Sequence, residues 1–423
     1  MGMSVPERRV IVVGGGAAGM MASIFAGKAG ARVTLLERGE KLGKKVYITG
    51  KGRCNVTNDC TLDEFLHEVA RNPRFLYSAL SFFSPQDMMQ LLEDAGCPVV
   101  VQRGRRVFPA TEKASDVTRT LARLMQQSGV EVRYGSRVQA LMTETTEDGA
   151  LHATGVRLMD GTALPAERVI LATGGCSYPL TGSDGSGYRL AQALGHTIVP
   201  QTPSLVPLVA AGKLCAGMQG LSLRNVGLRI VRVQDQKSVY EDFGEMLFAH
   251  FGLTGPMILS ASAHMRQMAP GRYEVHLDLK PALNAEMLDK RLQNDFVKYS
   301  NKNFSNSLQD LLPSKMIAPI VSLSGIDPHK KVNELCKEER RELVRLLKDL
   351  KLTVKNFRPI AEAIVTSGGV KVEEVDGRSM ESKLVKGLYF AGEMLDVDAY
   401  TGGFNLQIAF STGRLAALSA GRA

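Results

Sequence analysis

Cysteine is scarce and scattered. Cys54, Cys60, Cys97, Cys176, Cys215 and Cys336 are the six in 423 residues, no two have CxxC spacing, and none is grouped with histidine. That excludes structural zinc and iron–sulfur sites, so no metal is expected, and it points to reduced thiols in the cytoplasm. No run of about 18 apolar residues exists, so neither a transmembrane helix nor membrane contact is expected. The first nine residues are polar, and the apolar stretch Val10 to Val13 is too short for a signal-peptide core. The start Met-Gly-Met-Ser-Val-Pro is like a myristoylation signal but has Pro6 where serine or threonine is needed. Internal repeats and low-complexity tracts are also missing.

Hydrophobic residues at 44% and charged residues at 22% are ordinary globular usage. They exclude a disordered chain, a collagen and a disulfide miniprotein. The length implies two or three domains. Residues 201–360 hold 23 basic against 16 acidic side chains, so most of the net +9 sits in the middle of the chain. Such a charge permits an anionic partner without demanding one.

The apolar run Arg9 to Val13 reads as a parallel strand buried on both faces. It enters Gly14-Gly15-Gly16-Ala17-Ala18-Gly19, then a helix from Met20 to Ala29 and a strand from Arg32 to Glu37, which together make one βαβ unit. Residues 41–60 are basic, glycine-rich and read as a functional loop. Residues 61–130 read as helices interrupted near Arg103 to Pro109. Val130 to Val138, Ala153 to Leu158 and Arg168 to Ala172 read as strands. Prolines at 200, 203 and 207 and the alternation Leu228 to Val233 mark an antiparallel β module, and 285–352 is helical and highly charged. A strand at Gly387 to Ala391 and a helix from Gly403 to Ala420 return to the first texture. The expected fold is α/β: a doubly wound Rossmann-like domain built from 1–196 and 361–423, with an inserted β-barrel-like and helical module over 197–360.

Gly14-x-Gly16-x-x-Gly19 has the spacing that gives a tight turn, a close backbone approach to a pyrophosphate and close helix–strand packing. The helix amino terminus adds anion affinity. Glu37 lies 18 residues after Gly19, where an acid accepts from ribose hydroxyls. This unit alone does not separate NAD from FAD. The carboxyl end does: Phe390-Ala391-Gly392-Glu393 places an acid after a strand, suited to a polyol, and FAD has a ribityl chain where NAD has none. Thr401-Gly402-Gly403-Phe404-Asn405-Leu406-Gln407 opens the last helix, whose free N–H groups would face the flavin pyrimidine edge.

Four stretches now show a family resemblance. They are Gly50 to Asn58, Leu171 to Gly175, Leu247 to Pro256, and Gly392-Glu393 through Tyr400 to Asn405. The chain resembles, over essentially its whole length, a group of bacterial FAD-dependent oxidoreductases that includes a bile-acid enone reductase, a ribosomal RNA dihydrouridine synthase and an aminoacetone oxidase. The resemblance implies a two-part FAD domain with an inserted module, and it leaves the substrate open. It implies phosphate and ribose contacts from Gly14, Gly16, Ala17, Ala18, Gly19 and Glu37, with Arg38 beside them. It implies a flavin-side loop of Lys44, Lys45, Arg53 and Asn55, a backbone adenine contact at Val138, and Thr173-Gly174 nearby. Ribityl and pyrimidine contacts would come from Gly392, Glu393, Gly403, Asn405 and Leu406. Many relatives have Asp where this chain has Glu393, and the extra methylene moves the carboxylate by about 1.5 Å.

Three residues are candidates for the reaction itself. Cys54 would protonate a carbanion, its pKa lowered by Lys51 and Arg53, or it simply packs in the loop. His250, between Phe248 and Phe251, would donate to a carbonyl or deliver a proton, or is a structural histidine. Tyr400 would line the substrate face or sit in the core. Ser177, Tyr178, Thr181, Ser183 and Asp184 form a lid or a helix cap. Arg103 to Arg106 and Lys330 to Arg358 would contact phosphates, although interspersed acids make the latter an ordinary charged surface.

The leading functional expectation is reduction of a polarised C=C bond by hydride from flavin N5. No second glycine fingerprint exists, which favours NAD(P)H as a transient donor, or an alternative electron donor, over a dedicated NAD domain. The substrate would be a small molecule or an RNA base, the latter being uridine in ribosomal RNA held by the basic insert. An amine or aminoketone oxidase using oxygen is one alternative, and an RNA-associated flavoprotein without turnover is another. The oligomeric state is not legible.

Overall fold

The computed structural model describes residues 8–421, so the myristoylation-like start lies outside the described residues. The chain forms two compact units, Met1–Ser204 with Ile360–Ala423, and Leu205–Pro359. In the first unit, β1 (Arg9–Val13), α1 (Ala17–Lys28) and β2 (Arg32–Leu36) follow one another, and α2 (Lys44–Ile48) comes next. The sheet is completed by β3 (Glu131–Arg133), β4 (Arg168–Leu171) and β5 (Leu388–Phe390), and α3 (Phe404–Gly421) is the last element.

The five strands are parallel in the order β5-β4-β1-β2-β3. Val10, Val12, Val33, Leu35, Val169 and Ile170 are all buried, which is why their strands read as unbroken apolar runs. Strand order reverses between β1 and β4, and open parallel sheets bind ligands beyond the carboxyl ends of such strands. One face of the sheet carries α1 and α3, which run side by side in the same direction. Their contact is between backbones: a methyl group on Gly413 would come 2.4 Å from the carbonyl oxygen of Ala18. Near the other end, one on Gly421 would come 3.0 Å from the Ala29 methyl.

Several segments differ from the sequence reading. The loop expected over 41–60 contains α2, which starts after Gly43 in the left-handed conformation. The stretch 61–130 is not all helix. Val99–Gln102 and Arg106–Pro109 form a hairpin turning at Gly104, φ 74°, and Thr57–Asn58 pairs with it. The β-branched run Val99-Val100-Val101 outweighs the flanking helix formers. The strand expected over Val130 to Val138 is broken at Gly135, φ 66°. Residues 198–204, which the prolines suggested as the start of the insert, pair with Val365–Val370 inside the first unit. A bulge between Val199 and Thr202 accommodates Pro200.

In the second unit six antiparallel strands close into a barrel, and Val226, Leu228 and Ile230 point into its core. Helices Ala285–Lys298 and Lys337–Lys348 add buried leucines to that core and leave their charged faces in water, and Ser314–Ser324 adds Met316, Ile320 and Val321. No helix among the described residues is long and apolar enough to cross a membrane.

The α1–α3 contact makes a stability prediction of unusual sign. In an isolated helix, Gly→Ala stabilises by about 1 kcal/mol. Gly413→Ala should instead destabilise by about 1–3 kcal/mol, as overpacking does. Denaturant unfolding followed by circular dichroism measures it, and a midpoint at or above wild type would show that the helices are free to separate.

Candidate active site

The first site element is the turn from β1 into α1. Gly16 precedes the helix with extended backbone, no side chain caps the helix, and its first turn carries no acid. The first-turn N–H groups therefore lack intrahelical acceptors. A methyl group on Gly16 would meet nothing within 4 Å, so the space before the helix is open. Gly19 is the opposite case: a methyl there would come 1.8 Å from the carbonyl oxygen of Gly14, so only glycine lets α1 pack against β1. Ala17 and Ala18 lie between them, half-buried and buried.

Glu37 follows β2, buried, and accepts from the backbone N–H of Gly15 at 2.8 Å and of Gly39 at 2.7 Å. These bonds hold its carboxylate beside the glycine turn. Arg38 pairs with Asp184, which also lies 3.8 Å from Arg137. Burial would raise the Asp184 pKa, but the bonds from Ser186 and Arg38 outweigh it and hold the carboxyl at about 2. Asp184 accepts from the Ser186 N–H, 3.0 Å, at the start of helix Ser186–Ala193. Val138 begins the strand Val138–Thr145 and lines a cavity with Arg137, Ser186, Arg189 and Leu190.

The second element lies at the carboxyl ends of β4 and β5. Lys45 of α2 donates to Glu393 Oε2 at 2.7 Å and to Ser177 Oγ at 2.6 Å. Glu393 Oε1 accepts from Ser177 Oγ at 3.1 Å and from the Thr366 N–H at 2.7 Å. Thr366 Oγ1 in turn accepts from the backbone N–H of Cys176, 2.8 Å, and Ser177, 3.2 Å. Both Glu393 oxygens therefore have protein donors. Thr173 contacts Met394 Sδ at 2.8 Å, and Gly174 turns the chain at φ 76°. Gly392, φ 69°, donates its N–H to Thr412 Oγ1 of α3 at 2.9 Å.

The third element is the start of α3. Asn58 Nδ2 donates to the carbonyls of Gly104 and Gly402, both at 3.1 Å, which joins the Gly50 to Asn58 stretch to the Gly402-Gly403 turn. Asn405 accepts from the Ala399 N–H at 3.0 Å and donates to the Ala399 carbonyl at 2.7 Å, so it braces the loop before its own helix. Leu406 is half-buried beside it. Asn55 Oδ1 is buried and finds no partner among the described residues, an acceptor without a donor. Lys44 is half-buried on α2. Arg53 pairs with Glu112 at 3.2 Å and lies over the Phe108 ring at 4.5 Å.

The three reaction candidates separate. Cys54 is fully buried, and burial pushes its thiol up to about 12. The activation expected from Lys51 and Arg53 is absent, because the thiol faces the core and Arg53 faces Glu112. Its odd feature is φ 60°, which closes the tight loop through Cys54 N–H to the Thr49 carbonyl, 3.0 Å. Tyr400 is half-buried, with its N–H on the Glu68 carbonyl at 2.9 Å and its carbonyl on Asn405 at 3.3 Å. His250 belongs to the second unit, exposed on the turn between strands Lys237–Ala249 and Gly252–Thr254 and edge-on to Phe251. The glycine-turn, β5-end and α3-start residues are thus brought together in one unit. Ser177, Thr366 and Asn58 are the connectors that motif reading did not single out as site residues. Asn58 was visible as the last letter of the Asn-Val-Thr-Asn motif, whereas Thr366 carried no local signal.

An uncapped helix end facing open space, a buried ribose-side acid and an acceptor lacking a donor fit a dinucleotide. Together with this fold they define an FAD-dependent oxidoreductase. Residues 8–419 match the HI0933-like protein Rossmann domain, and the chain belongs to that family of FAD-dependent oxidoreductases. It is 33% identical over 420 residues to the 3-dehydro-bile acid delta(4,6)-reductase of Clostridium scindens, covering 97% of this chain and 98% of that protein. It is 31% identical over 403 residues to the ribosomal RNA dihydrouridine synthase of Escherichia coli, covering 95% of each. Its fold is similar to that of a 3-ketosteroid-delta4-(5alpha)-dehydrogenase from Rhodococcus jostii, TM-score 0.55 at 18% identity, with 99% of each chain covered.

Iodoacetamide at mildly alkaline pH should modify exposed Cys336 in the folded protein and leave Cys54 untouched until denaturation. Peptide mass mapping reads both sites. Modification of Cys54 in the native protein would restore it as a reactive group.

Proposed function

We propose that this protein reduces a carbon–carbon double bond conjugated to a carbonyl, adding hydride to one carbon and a proton to its neighbour while NAD(P)H is oxidised to NAD(P)+. The observation that carries this reading is one bond change shared by two near-full-length relatives. A bile-acid delta(4,6) reduction and a dihydrouridine synthesis both saturate such a bond. The six unpaired cysteines among the described residues support a cytoplasmic setting.

FAD supplies reversible two-electron hydride chemistry at N5 when bound. The chain's part is to hold it and its substrate. Gly14, Gly16 and Gly19 with the first-turn N–H groups of Ala17 and Ala18 take the pyrophosphate, and Glu37 takes the ribose. Arg38, Val138, Thr173 and Gly174 border the adenosine end. Lys44, Lys45, Asn55, Gly392, Gly403, Asn405 and Leu406 border the flavin end, where the α3 amino terminus offers N–H groups to developing negative charge. Tyr400 is the residue placed against substrate, and His250 is the second candidate donor. Within the class of polarised C=C substrates, uridine in ribosomal RNA is favoured by the 31% identical relative and by the excess of basic residues over 201–360.

Anaerobic mixing with NADH or NADPH, with and without ribosomal RNA, should bleach the flavin absorbance. No bleaching under any condition would remove the nicotinamide donor, and peroxide formation without it would support the oxidase reading instead. Mapping dihydrouridine after gene deletion separates the substrates: loss of one position supports RNA, and an unchanged map directs the search to a small enone. Tyr400→Phe should slow substrate-dependent reoxidation by about 100-fold if its hydroxyl gives the proton. An unaltered rate would assign that role away from Tyr400.

A further inference from the structure

We propose that the hairpin Val99–Pro109 is where RNA docks beside the flavin end, with Arg103 and Arg106 holding phosphates next to the uridine that enters the site. This rests on uridine as the substrate and adds the surface that recognises the chain around the base. The hairpin carries three arginines and no acid. Arg103 to Arg106 are all exposed, and the turn is left-handed at Gly104, φ 74°, and Arg105, φ 56°. Its scaffold is fixed. The Asp59 N–H donates to the Arg105 carbonyl at 2.8 Å, Arg105 pairs with Glu64 at 2.7 Å, and Val107, Phe108 and Pro109 are buried.

Position ties this turn to the site. Asn58 Nδ2 donates to the Gly104 and Gly402 carbonyls at 3.1 Å each, so the two oxygens are no more than about 6 Å apart. Gly402 belongs to the turn that opens α3. The Arg106 guanidinium bends back over the tip, its Nε 3.9 Å from where a methyl group on Gly104 would lie. The nearby acids are already engaged: Glu64 by Arg105, Glu112 by Arg53 and Gln102, and Asp59 by Gln86. Arg103 and Arg106 have no ion pair among the described residues. Two like charges on one turn repel until an anion comes between them, and the guanidinium fork fits phosphate oxygens. A protruding turn has no walls to enclose a small dinucleotide. The phosphates flanking an extruded nucleotide stay outside the pocket, where cations at its rim hold the strand in register.

Fluorescence anisotropy with fluorescein-labelled oligouridine tests this on the FAD-bound enzyme. Arg103→Ala/Arg106→Ala should weaken binding about 10-fold and flatten the slope of log Kd against log salt concentration by about 1.4, two phosphates at about 0.7 each. Arg103→Gln alone should flatten it by about half as much, and it serves if the double variant disturbs the hairpin. Arg103→Lys/Arg106→Lys keeps both charges and should recover the wild-type slope. Equal affinity and slope in wild type and the alanine variant would overturn the docking surface while leaving uridine as the substrate. Slower bleaching by NADPH, but not by NADH, with RNA affinity untouched would move the arginines to the donor's 2′-phosphate and also overturn it. A wild-type enzyme that binds no oligouridine, in cells whose dihydrouridine map is unchanged by gene deletion, would remove uridine itself as the substrate and this docking surface with it.

Discussion

The backbone contact between α1 and α3 is the constraint from which the site follows. Ala18 is the second residue of α1 and Gly413 is the tenth of α3, and these two touch. Because the helices run the same way, the start of α3 leads the start of α1 by eight residues, roughly 12 Å at about 1.5 Å per residue. Two positive helix ends are thereby held on one side of the sheet with a fixed stagger. An elongated ligand with a negative group in its middle and a second at its far end meets both. A larger side chain at either helix face would separate the ends and dissolve the spacing.

Polar connectors fill the interval between those ends. Asn58 holds the Gly402-Gly403 turn, Asn405 braces the loop before α3, and the Lys45–Glu393–Ser177–Thr366 cluster ties α2 to the ends of β4 and β5. Each is a side chain bonded to backbone or to a second side chain from far along the chain. Such networks pin loops that have little apolar surface to pack. The reacting region is therefore rigid where it is polar, and Cys54 belongs to the packed interior beneath it.

Much of this was legible in the sequence because it obeys local rules. The runs at Val10 and Ile170 announced buried parallel strands, and the glycine spacing announced the turn into α1. The β module in the middle of the chain was visible in the alternation around Leu228, and its closure into a six-stranded barrel was not, since closure depends on pairing Leu208 with Phe357 across most of the unit. The hairpin at Arg103 to Pro109 was read as a break between helices because its partner strand, Thr57–Asn58, is two residues long. The reading of Cys54 as activated failed for a physical reason: neighbours in sequence set the local charge, but only the fold sets which way a thiol faces. Thr366 was invisible for the same reason, being a lone hydroxyl whose partners lie some 190 residues away.

The edge strand β5 and α3 come far later in the chain than β1 and α1, yet α3 packs directly on α1. On a ribosome, the glycine turn emerges hundreds of codons before Gly413 exists to shield Ala18. The nascent amino-terminal segment therefore waits with an uncovered apolar helix, and the vitamin-derived coenzyme gains its full grip only once α3 has emerged. Completion of the site is in that sense delayed by topology alone.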